Sequence, residues 1–362
     1  MTLPPEIGAE VALDAAATGE AGIAQLNSWQ HMWRRLRADR AAMAAIVFIV
    51  LVGLLALLAP VIAHLAGHGF SQQFRDTGMT PDGLPVGPDS TFWMGTDQLG
   101  RDVFVRLAYG AQVSLLVGVV ASLIAAIIGV TVGVVAGYFG GWADAVLSRV
   151  TDFVMSIPFL LCALALVSVF GASVGLCLFV VVFFSWAVTG RVIRAQVRAL
   201  KEREFVEASR SLGASTFSIV FKDILPNLAE PIIVYTTQMI PSAIVFEATL
   251  SFLGMGIVPP QPSWGGMLSD AATNSTYMIA PWMVFAPGSM LLLTTLAFNI
   301  LGDGLRDALD PKASRRLFGR KRRRAGRGGQ TASAAARKAR SAGAGRPAET
   351  GRPVGAGGGA GD

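Results

Sequence analysis

The chain has 362 residues, of which 52% are hydrophobic and 15% charged, with a formal net charge of +6. A composition this apolar excludes a typical soluble globular domain and points to a polytopic membrane protein. The two cysteines, Cys162 and Cys177, both lie in apolar runs, which excludes a disulfide framework or a metal cluster and leaves packing as their role.

Taken in chain order, residues 1–30 are rich in Ala, Gly and Glu, and 1–34 are expected to form a disordered cytoplasmic segment. Runs of about 20 apolar residues suffice for a hydrocarbon core ~30 Å thick at about 1.5 Å of rise per residue. Such runs predict helices over 41–63, 112–137, 151–170, 174–190, 228–250 and 281–301. The first is too long, and too far behind a polar leader, for a cleaved signal. The expected fold class is therefore an all-α membrane protein with six transmembrane helices, its membrane body covering 35–311. Beyond it, 312–324 is strongly basic and the remainder is Gly, Ala, Arg and Pro, a low-complexity composition expected to stay disordered. A basic run beside a membrane helix attracts anionic lipid. Membrane lipid is thus an expected partner, and nucleic acid is not, despite the positive charge.

Basic residues crowd the cytoplasmic ends of membrane helices. Here they gather at Arg34, Arg35, Arg37 and Arg40, at Arg149, over 191–222, and from Arg306 through 320–324, whereas 254–280 has no Lys or Arg. Segment 66–108 sets Arg75, Arg101 and Arg106 against five aspartates. This segregation predicts a multi-pass protein of the cell membrane with both termini in the cytoplasm. It also places the polar block between the fourth and fifth spans on the cytoplasmic side.

That block, 207–227, reads EASRSLGASTFSIVFKDILPN. Residues 205–212 read as a short helix and Gly213 as a residue able to take positive φ at its C-terminal end. Ser215 or Thr216 can cap a second short helix, which Pro226 is expected to stop. Helix, tight turn and helix make a rigid elbow. An ordinary amphipathic cytoplasmic loop would share the cap and the proline, so the motif carries the distinction.

The spacing of Glu207, Ala208, Ser209, Gly213, Leu225 and Pro226 resembles the EAA loop of permease subunits of ABC importers, the segment that seats on the ATPase. The family pattern has Ile two residues before Leu, where this chain has Asp223 followed by Ile224. Carried over by position, the loop at 205–227 implies ATPase coupling through Glu207, Ala208, Ser209, Leu212, Gly213, Ala214, Leu225 and Pro226. Four further blocks resemble C-type permeases of dipeptide and oligopeptide importers: MGTDQLGRDVFVRLAYGAQVSLLVG at 94–118, GYFGGWADAVLSRVTDFVMSIP at 137–158, SFLGMGIVPPQPSWGGML at 251–268 and FNILGDGLRDALDP at 298–311. The resemblance implies the type I importer permease fold, a second, related permease, two ATPase subunits and an extracytoplasmic solute-binding protein. It also implies that ATP and Mg are bound by the ATPase partners and that this chain binds no cofactor and is not an enzyme. The solute it implies is a peptide, the alternatives being a nickel or other metal chelate, glutathione or a sugar. A stand-alone secondary transporter is a further alternative, but it would leave the elbow without a purpose.

Several residues invite two readings each. Glu247 is the acidic residue deep in the fifth run, and an ionisable group there is a functional candidate; it serves either a gate or solute path, or a structural pair. Ala121, Ala125, Gly129, Gly133 and Gly137 recur every four positions on one helix face. They suit close packing within the subunit or along a path. The Gly- and Pro-rich stretch 252–264 is a binding-protein surface or lid, or a rigid connection. Asp97, Arg101 and Asp102 are close enough for an exposed local pair, which stabilises by only ~0.3 to 0.5 kcal/mol. Asp144 and Asp152 are expected in an interfacial cluster near Arg149. His31, His64 and His68 lack metal-ligand spacing and are expected at the interface. The phosphate-binding G-x-x-x-x-G-K-[ST] and the H-E-x-x-H patterns are missing, so energy must come from another subunit.

Overall fold

The computed structural model describes residues 28–309. The disorder expected for the first residues and for the tail after Pro311 falls outside the described residues. From Ser28 onward the chain is already helical, so the expected boundary at residue 34 falls inside a helix. That helix, α1 (Ser28–Ala38), buries Leu36 against Ala42 and Ala308. Asp39 then caps α2 (Arg40–Leu57), its Oδ1 accepting from the backbone N–H of Ala41 at 2.9 Å and of Ala42 at 3.3 Å. The apolar run 41–63 divides at Leu58, where Pro60 opens the short helix α3 (Ala59–Ala66).

Helix α4 (Val103–Phe139) begins nine residues before the apolar run that predicts it, because Asp102 caps it through the N–H groups of Phe104 and Val105. The third predicted span, 151–170, is a corrected expectation. It is split between α5 (Gly141–Ser156) and α6 (Phe159–Phe170), which are bent by 80°. Pro158 disfavours helical backbone at the residue before it, and Ile157 is extended at φ −78°, ψ 126°. Helix α7 (Val174–Lys201) starts from the Ser173 cap and outruns its apolar part by a basic final stretch. The elbow follows as α8 (Glu204–Ser211), α9 (Thr216–Ser218) and a π-helical turn Ile219–Ile224, and leads into α10 (Leu225–Phe252). The short α11 (Trp264–Ala272) and α12 (Trp282–Leu309) complete the described chain.

The result is an all-helical membrane protein. Among the described residues, four helices, α2, α4, α7 and α12, are long and apolar enough to cross a bilayer, and the bent α5–α6 pair makes up to five. Helix α10, at the fifth predicted span, has the length but falls outside that group; Glu247, Gln238 and two internal prolines lower its apolar content.

Helix α4 is the centre of the packing. Its small residues at 121, 125, 129, 133 and 137 are all buried, and a Cβ on Gly129, Gly133 or Gly137 would come within 2.8 Å of α7 atoms, including the carbonyl oxygens of Trp186, Gly190 and Arg194. The stripe is thus an internal seam between α4 and α7. In lipid, where burial gives no hydrophobic gain, such close backbone approach is what holds helices together.

Candidate functional site

The elbow has an anchored face and a bare face. On the anchored face, Val206 of α8 and Ile219, Ile224 and Leu228 beyond it have at most 1% of their surface exposed. They pack on Val134 and Tyr138 of α4 and on Ile193 and Val197 of α7. Between the two halves Gly213 adopts φ 77°. Its N–H bonds to the carbonyl of Arg210 at 3.0 Å and that of Ala214 to the carbonyl of Ser209 at 3.1 Å. This paired arrangement closes a helix at a left-handed glycine. Ser215 is the cap that follows, its hydroxyl accepting from the Ser218 N–H at 3.2 Å.

One expectation is corrected here. Pro226 does not stop a helix; it stands in the first turn of α10, directly behind the π turn Ile219–Ile224. The chain therefore runs from α9 through the π turn into α10 without interruption. The elbow is continuous with the 28-residue helix α10.

On the bare face, Glu207, Ala208, Leu212, Gly213 and Pro226 are exposed, Leu212 to 87%. Ser209, Ala214 and Leu225 are half-buried, and Ala214 and Leu225 pack against the anchored cluster. The structure thus brings Glu207, Ala208, Leu212 and Gly213 into reach of a partner, and turns Ala214 and Leu225 inward. Two aromatic residues that the motif does not include, Phe217 at 70% and Phe221 at 52% exposure, stand beside them with their rings 4.2 Å apart. They edge a groove of about 630 Å³ shared with Val130, Val134 and Phe139 of α4. A sequence signal for them existed: Phe217 and Phe221 are four residues apart, hence on one helix face.

Glu247 lies elsewhere, near the other end of α10, with no exposed surface. Its carboxylate accepts from the Ser114 hydroxyl at 2.9 Å and the Ser251 hydroxyl at 2.7 Å. Ser251 in turn accepts from the Ile257 N–H at 3.2 Å. Glu247 therefore ties α10 to α4 and to the Gly- and Pro-rich stretch. Trp264, fully buried, anchors the far side of that stretch by donating its indole N–H to the Leu107 carbonyl at 3.2 Å.

The charged residues of 94–106 are not the exposed pair expected from their spacing. Arg101 and Asp97 are buried, 2.6 Å apart, and Arg101 reaches Asp270 at 3.0 Å. Arg106 joins both aspartates at 3.3 and 3.4 Å. Asp270 is 169 residues from Arg101, so no local spacing could announce it. Burial pushes the Asp270 carboxyl above its ordinary range, and the charges of Arg106 and Arg101 oppose that shift. His68, expected at the interface, is buried and 2.7 Å from Asp102. Asp144 and Asp152 pair with α7 rather than with Arg149: Asp144 with Arg194 and, at 3.6 Å, with Arg198, and Asp152 with Arg191 at 2.5 Å. Among the described residues, no group of His, Cys, Asp and Glu is arranged to hold a metal.

Long apolar helices packed through a glycine seam, with one polar elbow left bare on one face, define an all-helical membrane protein. The chain belongs to the binding-protein-dependent transport system inner membrane component family, whose model matches residues 129–315. The N-terminal membrane domain of oligopeptide transport permease C matches residues 27–79. It is an inner-membrane, multi-pass subunit of an ABC transporter and not an enzyme. It is 40% identical over 284 residues to the oligopeptide transport system permease protein OppC of Escherichia coli (strain K12), covering 78% of this chain and 91% of that one. It is equally 40% identical to the glutathione transport system permease protein GsiD of Shigella flexneri serotype 5b (strain 8401), over 78% of this chain and 90% of that one. Among solved structures, an inward-facing MetNI methionine ABC transporter matches with TM-score 0.47 and 18% identity, over 57% of this chain and 96% of that one.

Proposed function

We propose that this chain is one of two permease subunits of an ATP-driven importer of peptides. Its solute arrives from an extracytoplasmic binding protein, and its bare elbow face seats an ATPase subunit. The observation that carries this reading is the two-faced elbow, rigidly joined to α10 on one side and open on the other. A movement of the ATPase would be transmitted directly into a membrane helix. The chain crosses the membrane six times with both termini in the cytoplasm, a second related permease completes the path, and two ATPase subunits bind ATP and Mg. The coupling residues are Glu207, Ala208, Ser209, Leu212, Gly213, Ala214, Leu225 and Pro226. Those turned inward hold the elbow's shape, and the exposed ones meet the partner.

Glutathione is a second solute reading, supported by the equal identity to the glutathione permease. It is itself a small peptide, so both readings ask the same chemistry of the path. Co-purification with an ATPase and a second permease tests the assembly, and transport by the isolated chain alone would overturn it. Ligand retention by the associated binding protein separates peptide from glutathione and from non-peptide solutes. For topology, a cysteine at Asp82 or Asn274 is expected to react with an impermeant external thiol reagent and one at Ser333 is not. Labelling of the Ser333 position in intact cells would overturn the orientation.

A further inference from the structure

Helix α10 carries hydroxyl groups where the lipid-facing helices carry aliphatic ones. Tyr235, Ser242 and Thr249 are all exposed, and their spacing of seven residues lines them up on one face, about 10 Å apart along the axis. On α4, by contrast, the exposed positions include Leu116, Leu123, Ile124 and Ile127. α10 is also the long helix that falls short of the apolar character of α2, α4, α7 and α12.

Alongside this line runs an open groove of about 420 Å³. Ser242, Phe246 and Thr249 border it from α10, Thr295 and Asn299 from α12, and Phe159 from α6, with no acidic or basic side chain in its lining. Asn299 is exposed, whereas the Thr295 hydroxyl oxygen is buried beneath the groove with no hydrogen-bond partner among the described residues. Amide and hydroxyl groups are poorly solvated by hydrocarbon, so a surface carrying them at membrane depth is suited to water or a polar solute.

We infer that the groove between α10 and α12 is this subunit's wall of the solute path, with Ser242, Thr249 and Asn299 as its solute-contacting residues. The solute class it fits is one rich in amide N–H and C=O groups, and this assignment rests on the importer reading above. The Ser242 hydroxyl can both donate and accept, the Thr249 hydroxyl donates to the Val245 carbonyl at 2.8 Å and still accepts, and a side-chain amide offers both functions at once. Such a wall exchanges hydrogen bonds with successive amides of a passing solute. Many weak, neutral sites also let the solute leave, which conduction requires. With no fixed charge, the wall does not discriminate by the charge of the solute's side chains.

The test uses the assembled transporter with Cys162 and Cys177 replaced by Ser and Ala. Single cysteines at Ser242, Thr249 and Asn299 are exposed to a charged methanethiosulfonate in the resting and vanadate-trapped states. They are expected to react about tenfold or more faster than cysteines at the lipid-face positions Ile127 and Val188, in at least one state, since a charged reagent avoids hydrocarbon. Rates no greater than at those controls, in both states, would overturn the inference. In a second arm, Ser242→Arg is expected to favour uptake of a Glu-containing over a Lys-containing tripeptide, and Ser242→Glu the reverse. Equal loss of both peptides in both variants counts against solute contact at Ser242. If the groove thiols react but the unmutated transporter carries neither peptide, the groove stands and the peptide assignment falls.

Discussion

The Ser114 hydroxyl donates to the Glu247 carboxylate at 2.9 Å across 133 residues of sequence, and neither side chain reaches the surface. With Ser251 as the second donor, the carboxylate is held by α4 and by its own helix at once. Glu247→Gln keeps an acceptor for one serine and is expected to lower stability modestly. Glu247→Leu strands both hydroxyls, at about 1–3 kcal/mol for each buried group left unsatisfied. Thermal unfolding in detergent checks the order. Should Glu247→Leu leave the melting temperature unchanged and abolish transport, the residue would belong to a gate.

The α4–α7 seam makes a sharper demand. A Cβ at Gly133 would fall 2.8 Å from the Gly190 carbonyl oxygen and equally close to the Ile193 Cβ, whereas one at Gly53 meets nothing within 4 Å. Backbone cannot rotate aside as a flexible side chain can, so Gly133→Val forces the helices apart, at an expected cost of about 1–3 kcal/mol or more. Gly53→Ala should be neutral or slightly stabilising. Yield of folded protein and melting temperature report both.

In the charged cluster at the start of α4, Asp97 and Asp270 should differ. Asp97 is buried, accepts from the Arg101 guanidinium and from the Leu99 and Arg101 N–H groups, and lies 3.3 Å from Arg106 as an ion pair. Asp97→Asn therefore leaves two buried guanidinium groups short of charge, and removal of one partner from such a network costs about 3–5 kcal/mol. Asp270 is 28% exposed and its pKa is raised by burial, so Asp270→Asn should cost less. A raised carboxyl pKa means the folded state takes up a proton before the unfolded one. The contribution of this group to stability therefore rises as pH falls through the raised value, and is complete below the ordinary aspartate pKa of about 3.9. The difference in melting temperature between the unmutated protein and Asp270→Asn should follow that course, and a difference independent of pH would refute it.

The helices were legible because bilayer thickness imposes a length of apolar sequence, and each of the six runs contains or borders a helix. Where the reading missed, long-range geometry or local proline chemistry decided. Pro158 breaks the third run because the residue before it must be extended, whereas Pro226 is absorbed into a first turn. Those outcomes differ only in position relative to a helix start. The elbow's Gly213 and Ser215 were readable since caps are local, and the anchored Val206, Ile219 and Leu228 were not singled out because the functional motif drew the reading to the opposite face. Arg101 and Asp270 share no local pattern. Their contact exists only once α11 packs beside the start of α4.

The elbow supplies the prediction on which the coupling assignment depends. Gly213 holds a left-handed conformation, φ 77°, with open space where a Cβ would stand. A β-branched residue there meets no steric wall, so the cost is backbone strain of about 1–2 kcal/mol, borne by a solvent-facing turn while Val206, Ile219 and Leu228 stay packed. Gly213→Val should therefore insert and fold while distorting the exposed face. Expected outcomes are weakened association with the ATPase subunits and loss of solute-stimulated ATP hydrolysis in the reconstituted complex. Glu207→Lys reverses a charge on the same exposed face without touching the anchored one, and should act in the same direction. Val206→Ala, on the anchored face, should instead lower thermal stability, with coupling lost only in proportion to unfolding. If Gly213→Val and Glu207→Lys both bind ATPase and transport at the unmutated rate, the exposed face is not where the motor engages.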